Sequence, residues 1–351
     1  MAESTQRLVR ILSRQDVRDV LQMPECIDTI QSAFQQQGVG RAIPSSVTGT
    51  YVEGGGFHIK AAGLIGEPRE RPVFAAKVNA NFPANPVRNG LPTVQGVIAL
   101  FDAAVGQPLA VLDSIEITSA RTAAASAVAA RHLAREGAVS VTVCGCGEQG
   151  RSHLRALRCV RSIRRVTAFD IDFGNAERYA AEMGVELGVE VIPVRELGGI
   201  TRESDVWVTC TPSPRWFVGR DHVAPGTFIA AVGADNHRKQ EIAPELMAAS
   251  TVVVDVLDQC AAMGDLHHVL ELGLMTRDDV HAELADVVAG RRPGRRTADE
   301  IIVFDSTGTA LEDVATAKLV YERAVAMGIG VEIDLSSAGQ VPNVSHAHAN
   351  D

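Results

Sequence analysis

Between residues 46 and 110 the apolar positions come in short runs. These are Val47–Val52, Phe57–Ala62, Val73–Asn79, Val94–Phe101 and Pro108–Leu112. Gly, Pro and Asn clusters such as Glu53-Gly54-Gly55-Gly56 and Asn81-Phe82-Pro83-Ala84-Asn85-Pro86 break them. Short β-rich runs with that punctuation predict a meander-like, mostly antiparallel sheet. Ahead of it, residues 8–35 read as a short strand and an amphipathic helix. The pattern changes at Thr118. Residues 118–135 are alanine-rich and predict a helix, and from there short apolar runs alternate with helical stretches. The runs are Ser140–Cys144, Arg165–Phe169, Val189–Val194, Asp205–Cys210, Thr227–Val232, Thr251–Asp255 and Ile301–Asp305, with helices from about Gln149 and Asn175. Such alternation predicts a parallel, doubly wound sheet. One more helix is expected over residues 309–327, and a frayed polar end from Ser336 to Asp351.

Composition narrows the function. At about 150 residues per domain, a chain of 351 residues suggests two domains. The net charge is −10 and aromatic residues are 4%, which argues against a nucleic-acid partner. No apolar run reaches the roughly 18 residues that cross a bilayer, so no membrane partner is expected. The start of the chain does not read as a secretory signal. Cys26, Cys144, Cys146, Cys159, Cys210 and Cys260 lack the paired spacing of a zinc site, so no metal is expected and the thiols read as reduced and cytoplasmic. The loop Gly290-Arg291-Arg292-Pro293-Gly294-Arg295-Arg296 reads as solvated.

The strongest local signal is Val141-Thr-Val-Cys-Gly145-Cys-Gly147-Glu148-Gln149-Gly150, a G-x-G-x-x-G between a predicted strand and a predicted helix. Gly145 permits the tight turn, Gly147 a close backbone approach to a pyrophosphate, and Gly150 close packing of helix on strand. The pyrophosphate sits on the helix N-terminus. Asp170 follows Gly150 by 20 positions and closes the next strand. Its carboxylate suits a ribose diol and repels a 2′-phosphate, which favours NAD over NADP.

Several stretches together resemble the ornithine cyclodeaminase/mu-crystallin family. They are Ala76-Lys77-Val-Asn-Ala-Asn-Phe-Pro83, Gly90-Leu-Pro-Thr93-Val-Gln-Gly96, Ala120-Arg121-Thr122-Ala-Ala-Ala-Ser126, the glycine-rich turn, Val232-Gly-Ala-Asp235-Asn-His-Arg-Lys239-Gln-Glu241 and Phe304-Asp-Ser306-Thr-Gly308. The resemblance implies an α/β architecture of two domains. A Rossmann-type NAD-binding domain spans 119–311. A mixed α/β substrate-binding and dimerisation domain spans 1–118 and 312–351, giving a homodimer.

Candidate site residues follow. Lys77 stands at the family's catalytic-lysine position, and burial would lower its pKa into the range of a general acid or base. Arg121 suits bidentate capture of a carboxylate, or an ion pair between the domains. Arg41 matches a second carboxylate clamp, and Thr93 joins the substrate set. Asp235 follows an apolar strand, where it either faces a substrate amine or caps a helix. Thr122, Thr211, Ser213, Val232 and Ser306 are candidate cofactor contacts, alongside Gly145, Gly147, Glu148, Gln149, Gly150 and Asp170. Phe57-His58-Ile59-Lys60-Ala61-Ala62 departs from the family, which reads more like an Arg or Leu and then Met-Pro-Ala. On a strand, His58 and Lys60 share one face. Toward the pocket they are substrate-binding candidates that meet a second anionic or polar group, and otherwise they face solvent or the dimer interface.

These residues imply an NAD-dependent oxidoreductase at the α-carbon of an amino or imino acid. The same set serves an ornithine cyclodeaminase, which returns the hydride and releases ammonia. A catalytically silent NAD(H)-binding protein would be expected to lack one of Lys77, Arg121 and Asp235.

Overall fold

Two sheets organise the chain in the computed structural model, which describes residues 8–66 and 70–335. The frayed end expected from Ser336 lies outside them. The first sheet has seven strands, in the order Val331–Asp334, Leu8–Leu12, Pro108–Asp113, Val94–Asp102, Val73–Asn81, Gly55–Leu64 and Ala42–Val52. All neighbours pair antiparallel except Leu8–Leu12 with Pro108–Asp113. The expected meander is therefore present, extended by one parallel strand and a far edge strand.

The second sheet has eight strands, every pair parallel. Its order is Ala282–Glu283, Thr251–Val254, Ile302–Asp305, Phe228–Ala231, Val206–Thr209, Ser140–Cys144, Arg165–Phe169 and Glu190–Val194. The central strands are buried on both faces because helices cover both, so they read as short, largely apolar runs. The strand order reverses between Ser140–Cys144 and Val206–Thr209, and ligands of doubly wound sheets bind at that point.

Two helices tie the sheets together. Ile115–Leu133, with alanines buried all round, packs on the helices Met23–Gly38 and Glu148–Val160. It begins before residue 118 and crosses the expected domain boundary without a break. Small side chains allow this close approach on several sides. Ala310–Met327 returns from the parallel sheet and lies across strands Gly55–Leu64 and Val73–Asn81. Its N-terminus carries a capping box from Thr309 and Glu312. The first helical region is split into Arg14–Val20 and Met23–Gly38, with Pro24 in the first turn of the second. Among the described residues no helix is long and apolar enough to cross a membrane.

Candidate active site

Strand Val73–Asn81 buries alternate positions: Val73, Ala75, Lys77 and Asn79. Period-two alternation turns Lys77 inward, toward the return helix. Its Nζ donates to Asp313 Oδ1 at 2.8 Å and to Thr118 Oγ1 at 3.4 Å. Arg121 shares the same acid. Its Nε donates to Asp313 Oδ1 at 2.9 Å and its Nη1 to Glu312 Oε2 at 2.8 Å. Glu312 also accepts from Thr309 N and Oγ1, so the helix cap and the ion pair use one carboxylate.

Burial pushes the Lys77 ammonium down to about 7, with Arg121 and Lys60 adding to the effect and Asp313 opposing it. Burial alone would raise Asp313, but Arg121 and Lys77 beside it hold its carboxyl below the usual range. The result is a lysine able to exchange a proton near neutrality.

Two chambers open beside this cluster at the C-terminal ends of the parallel strands, and they share the wall Thr118, Arg121, Gln149, Asp235, Lys239 and Thr307. The smaller, about 300 Å³, is lined by Thr122, Thr211, Val232 and Ser306 among others. The larger, about 720 Å³, is lined by His58, Lys60 and Lys77 on the antiparallel sheet and by His237 opposite. Asp235 faces both chambers and pairs with Lys239 at 2.7 Å. The helix-cap alternative for Asp235 is not realised, because turns follow it and the next helix begins only at Pro244.

Buried carboxylates hold the loops of the smaller chamber. Glu241 accepts from Thr209 Oγ1 at 2.7 Å, Thr211 N at 2.6 Å, Thr211 Oγ1 at 2.7 Å and Gly233 N at 2.8 Å. Asp255 accepts from Ser306 Oγ at 3.0 Å and Gly308 N at 2.7 Å. Burial raises Glu241 to about 7, with Asp265 adding to it.

The glycine turn fits a dinucleotide. Gly145 has φ +101°, a left-handed value that L side chains avoid. A Cβ on Gly150 would stand 2.2 Å from Gly145 O, whereas at Gly147 nothing lies within 4 Å, leaving the backbone open to a phosphate. Asp170 Oδ2 accepts from Cys146 N at 2.9 Å and Oδ1 from Asp172 N at 3.0 Å, so the acid that would take a ribose also fastens the turn. Gln149 lines both chambers with a buried Oε1 that has no partner.

Not every expected residue reaches these chambers. Arg41 is not among the residues lining either chamber: it precedes the strand Ala42–Val52, six positions before Val47, next to Ala42, which pairs with Leu64. Thr93 precedes its strand, and it is the neighbouring Val94 that lines the larger chamber. Glu148 is solvent-facing at the helix start, 3.9 Å from Arg155. Ser213 turns back to Arg215 O at 2.6 Å. Conversely, Asp313, Glu312, Glu241 and Asp255 were not anticipated. The available signal was Glu312-Asp313 inside the apolar stretch Ala310 to Ala317, where an acid without a partner would be costly.

The sequence profile of the ornithine cyclodeaminase/mu-crystallin family matches residues 8–328. The chain belongs to that family. A family relative, the alanine dehydrogenase of Archaeoglobus fulgidus, is 35% identical over 326 residues, covering 92% of this chain and 97% of that protein. A solved archaeal alanine dehydrogenase dimer with bound NAD superposes with a TM-score of 0.86 at 34% identity, covering 93% of this chain and 99% of that one. The Δ1-pyrroline-2-carboxylate reductase of Thermococcus litoralis, in complex with NADH and L-proline, superposes with a TM-score of 0.87 at 34% identity, covering 93% and 100%.

Proposed function

We propose that this protein is an NAD(H)-dependent oxidoreductase acting at the α-carbon of an amino or imino acid. The observation that carries the reading is Lys77, a buried lysine near neutrality, in a chamber that shares a wall with the one at the C-terminal ends of the parallel strands, Gln149 of the glycine turn lining both. The dehydrogenase and reductase relatives support it and do not favour the cyclodeaminase alternative.

Gly147, the start of helix Glu148–Val160 and Asp170 would hold the pyrophosphate and ribose of the dinucleotide, with Thr122, Thr211, Val232 and Ser306 around its reactive end. When bound, that group supplies or accepts the hydride. Arg121 spends Nε and Nη1 on its acids and offers Nη2 to the substrate carboxylate. Asp235 faces the substrate nitrogen, where its charge stabilises an ammonium or iminium. Lys77 moves the proton. As an acid it protonates a carbinolamine hydroxyl that leaves as water, and as a base it takes a proton from the water that attacks an iminium carbon.

The test is direct. NADH loss is followed with ammonia and a panel of 2-oxo acids, and with a cyclic imino acid, while ammonia is assayed from L-ornithine with NAD⁺. Lasting NADH oxidation with one acceptor is expected. Ammonia and proline from ornithine without lasting NADH would overturn the reading. Asp170→Ser is expected to weaken NADH binding about tenfold or more through loss of a charged hydrogen bond, and to narrow the preference over NADPH. Fluorescence titration with both nucleotides checks this, and an unchanged ratio refutes the ribose role.

The division of labour follows the sheets, with the parallel sheet for the dinucleotide and the antiparallel sheet with its return helix for the substrate. The outer face of the antiparallel sheet serves a homodimer. Ile59, Val78 and Val97 are register neighbours on three adjacent strands, and all three are exposed. An apolar row of this kind marks an interface, and the archaeal alanine dehydrogenase above is a dimer. Val78→Glu, which puts charges into the row, is expected to turn a dimer of twice the chain mass into a monomer by light scattering. A wild-type monomer would sink the idea.

A further inference from the structure

The larger chamber has more charge than one α-carboxylate and one nitrogen require. Lys60, Lys77, Arg121 and Lys239 line it. Three of the four are already compensated: Lys77 and Arg121 by Asp313 and Glu312, and Lys239 by Asp235. Lys60 has no carboxylate within ion-pair distance among the described residues. Its Nζ donates to the backbone carbonyls of Gly308 at 2.7 Å and Thr307 at 3.2 Å. Those two bonds aim the ammonium at the chamber and leave its third N–H without a protein partner.

The sheet register sharpens the point. Lys60 lies directly opposite Lys77 on neighbouring antiparallel strands. Like charges in that position oppose pairing, so the fold gains nothing from the second lysine. His58 lies two residues along on the same face, opposite Asn79, and lines the same chamber. Neither residue reaches the smaller chamber, so the cationic corner belongs to the substrate side. Directly opposed residues have Cβ atoms roughly 5 Å apart. An anionic group on Lys60 therefore sits within a few bonds of the carbon served by Lys77. The chamber's volume of about 720 Å³ leaves room for it.

We propose that Lys60, flanked by His58, binds a second anionic group on the substrate, so that the preferred substrate is a dicarboxylic 2-oxo or α-imino acid of four or five carbons. This rests on the oxidoreductase reading above. Arg121 takes the α-carboxylate and Lys60 the side-chain carboxylate, through a charge-assisted hydrogen bond.

The experiment compares kcat and KM, with NADH and ammonia, for oxaloacetate and 2-oxoglutarate against pyruvate and 2-oxobutyrate. Wild type, Lys60→Met and Lys60→Arg are used, and thermal melting checks that each variant is folded. The wild type is expected to prefer a dicarboxylic acceptor by about tenfold or more, the scale of one hydrogen bond to a charged group. Lys60→Met is expected to raise KM for the dicarboxylic acceptors by about 10- to 100-fold, with KM for the monocarboxylic ones within twofold. Lys60→Arg is expected to restore much of the loss. A wild-type preference for monocarboxylic acceptors overturns the proposal by itself, whatever the variants do. So does a rise in KM for the dicarboxylic acceptors in Lys60→Met no larger than that for the monocarboxylic ones, which would mark a role acting through Lys77 alone. In both cases NADH is still oxidised and the oxidoreductase reading survives. If no acceptor oxidises NADH, the reading and the proposal fall together.

Discussion

Lys77→Met is expected to reduce turnover by about 10²- to 10⁴-fold, the usual worth of a positioned proton donor or acceptor, with NADH affinity little changed. Lys77 lines the larger chamber and not the smaller one. The pH dependence carries a definite sign. Burial brings the Lys77 ammonium to about 7. Below that pH it is charged and can donate a proton, and above it can accept one. Reductive turnover is therefore expected to fall as pH rises through about 7, approaching tenfold per unit. Oxidative turnover is expected to rise through the same window and then level off. In Lys77→Met both limbs are expected to flatten. A variant that keeps both the rate and the profile would remove Lys77 from the chemistry.

What the sequence disclosed follows from how local each signal is. The parallel strands were legible because burial on both faces leaves runs such as Phe228–Ala231 wholly apolar and admits only small hydroxyl residues into Ser140–Cys144. The glycine turn was legible because its acid lies one strand away. The edge strand Val331–Asp334 was not. It is four residues long, largely exposed, and pairs with Leu8–Leu12 at the other end of the chain. Lys77 stood out as a charge on the inward side of an alternating strand, but its partner did not. Asp313 is 236 residues away in the sequence. In the first turn of a predicted helix, Glu312 and Asp313 read equally as dipole partners. Arg41 misled in the opposite sense. It carries suitable chemistry just ahead of the strand Ala42–Val52, and the pairing of Ala42 with Leu64 sets it at the end away from Val47 and Lys60.

Asp313→Asn is expected to cost more stability than any single change at the chamber surface. Asp313 is buried between two cations, 2.7 and 2.8 Å from Lys77 Nζ and 2.9 Å from Arg121 Nε. The amide is nearly isosteric, so little cavity forms and the loss is electrostatic. Removing one member of a buried ion cluster typically costs about 3–5 kcal/mol, because the remaining charges keep their desolvation penalty without compensation. Here Arg121 retains Glu312, so Lys77 bears most of the deficit. It is expected to answer by losing its proton more readily. The carboxylate raises the Lys77 pKa, and without it burial, Arg121 and Lys60 all push downward. The acid window for reductive turnover should therefore move below about 7, and oxidative turnover should reach its plateau at lower pH. The double variant Lys77→Met with Asp313→Asn separates the two effects. Removing the lysine abolishes the uncompensated charge, so the pair should be more stable than the sum of the single losses, by about 0.5–3 kcal/mol as for other residues in direct contact. Denaturant titration of the four proteins measures that coupling. Additive losses would mean that Asp313 serves Arg121 and the helix rather than Lys77.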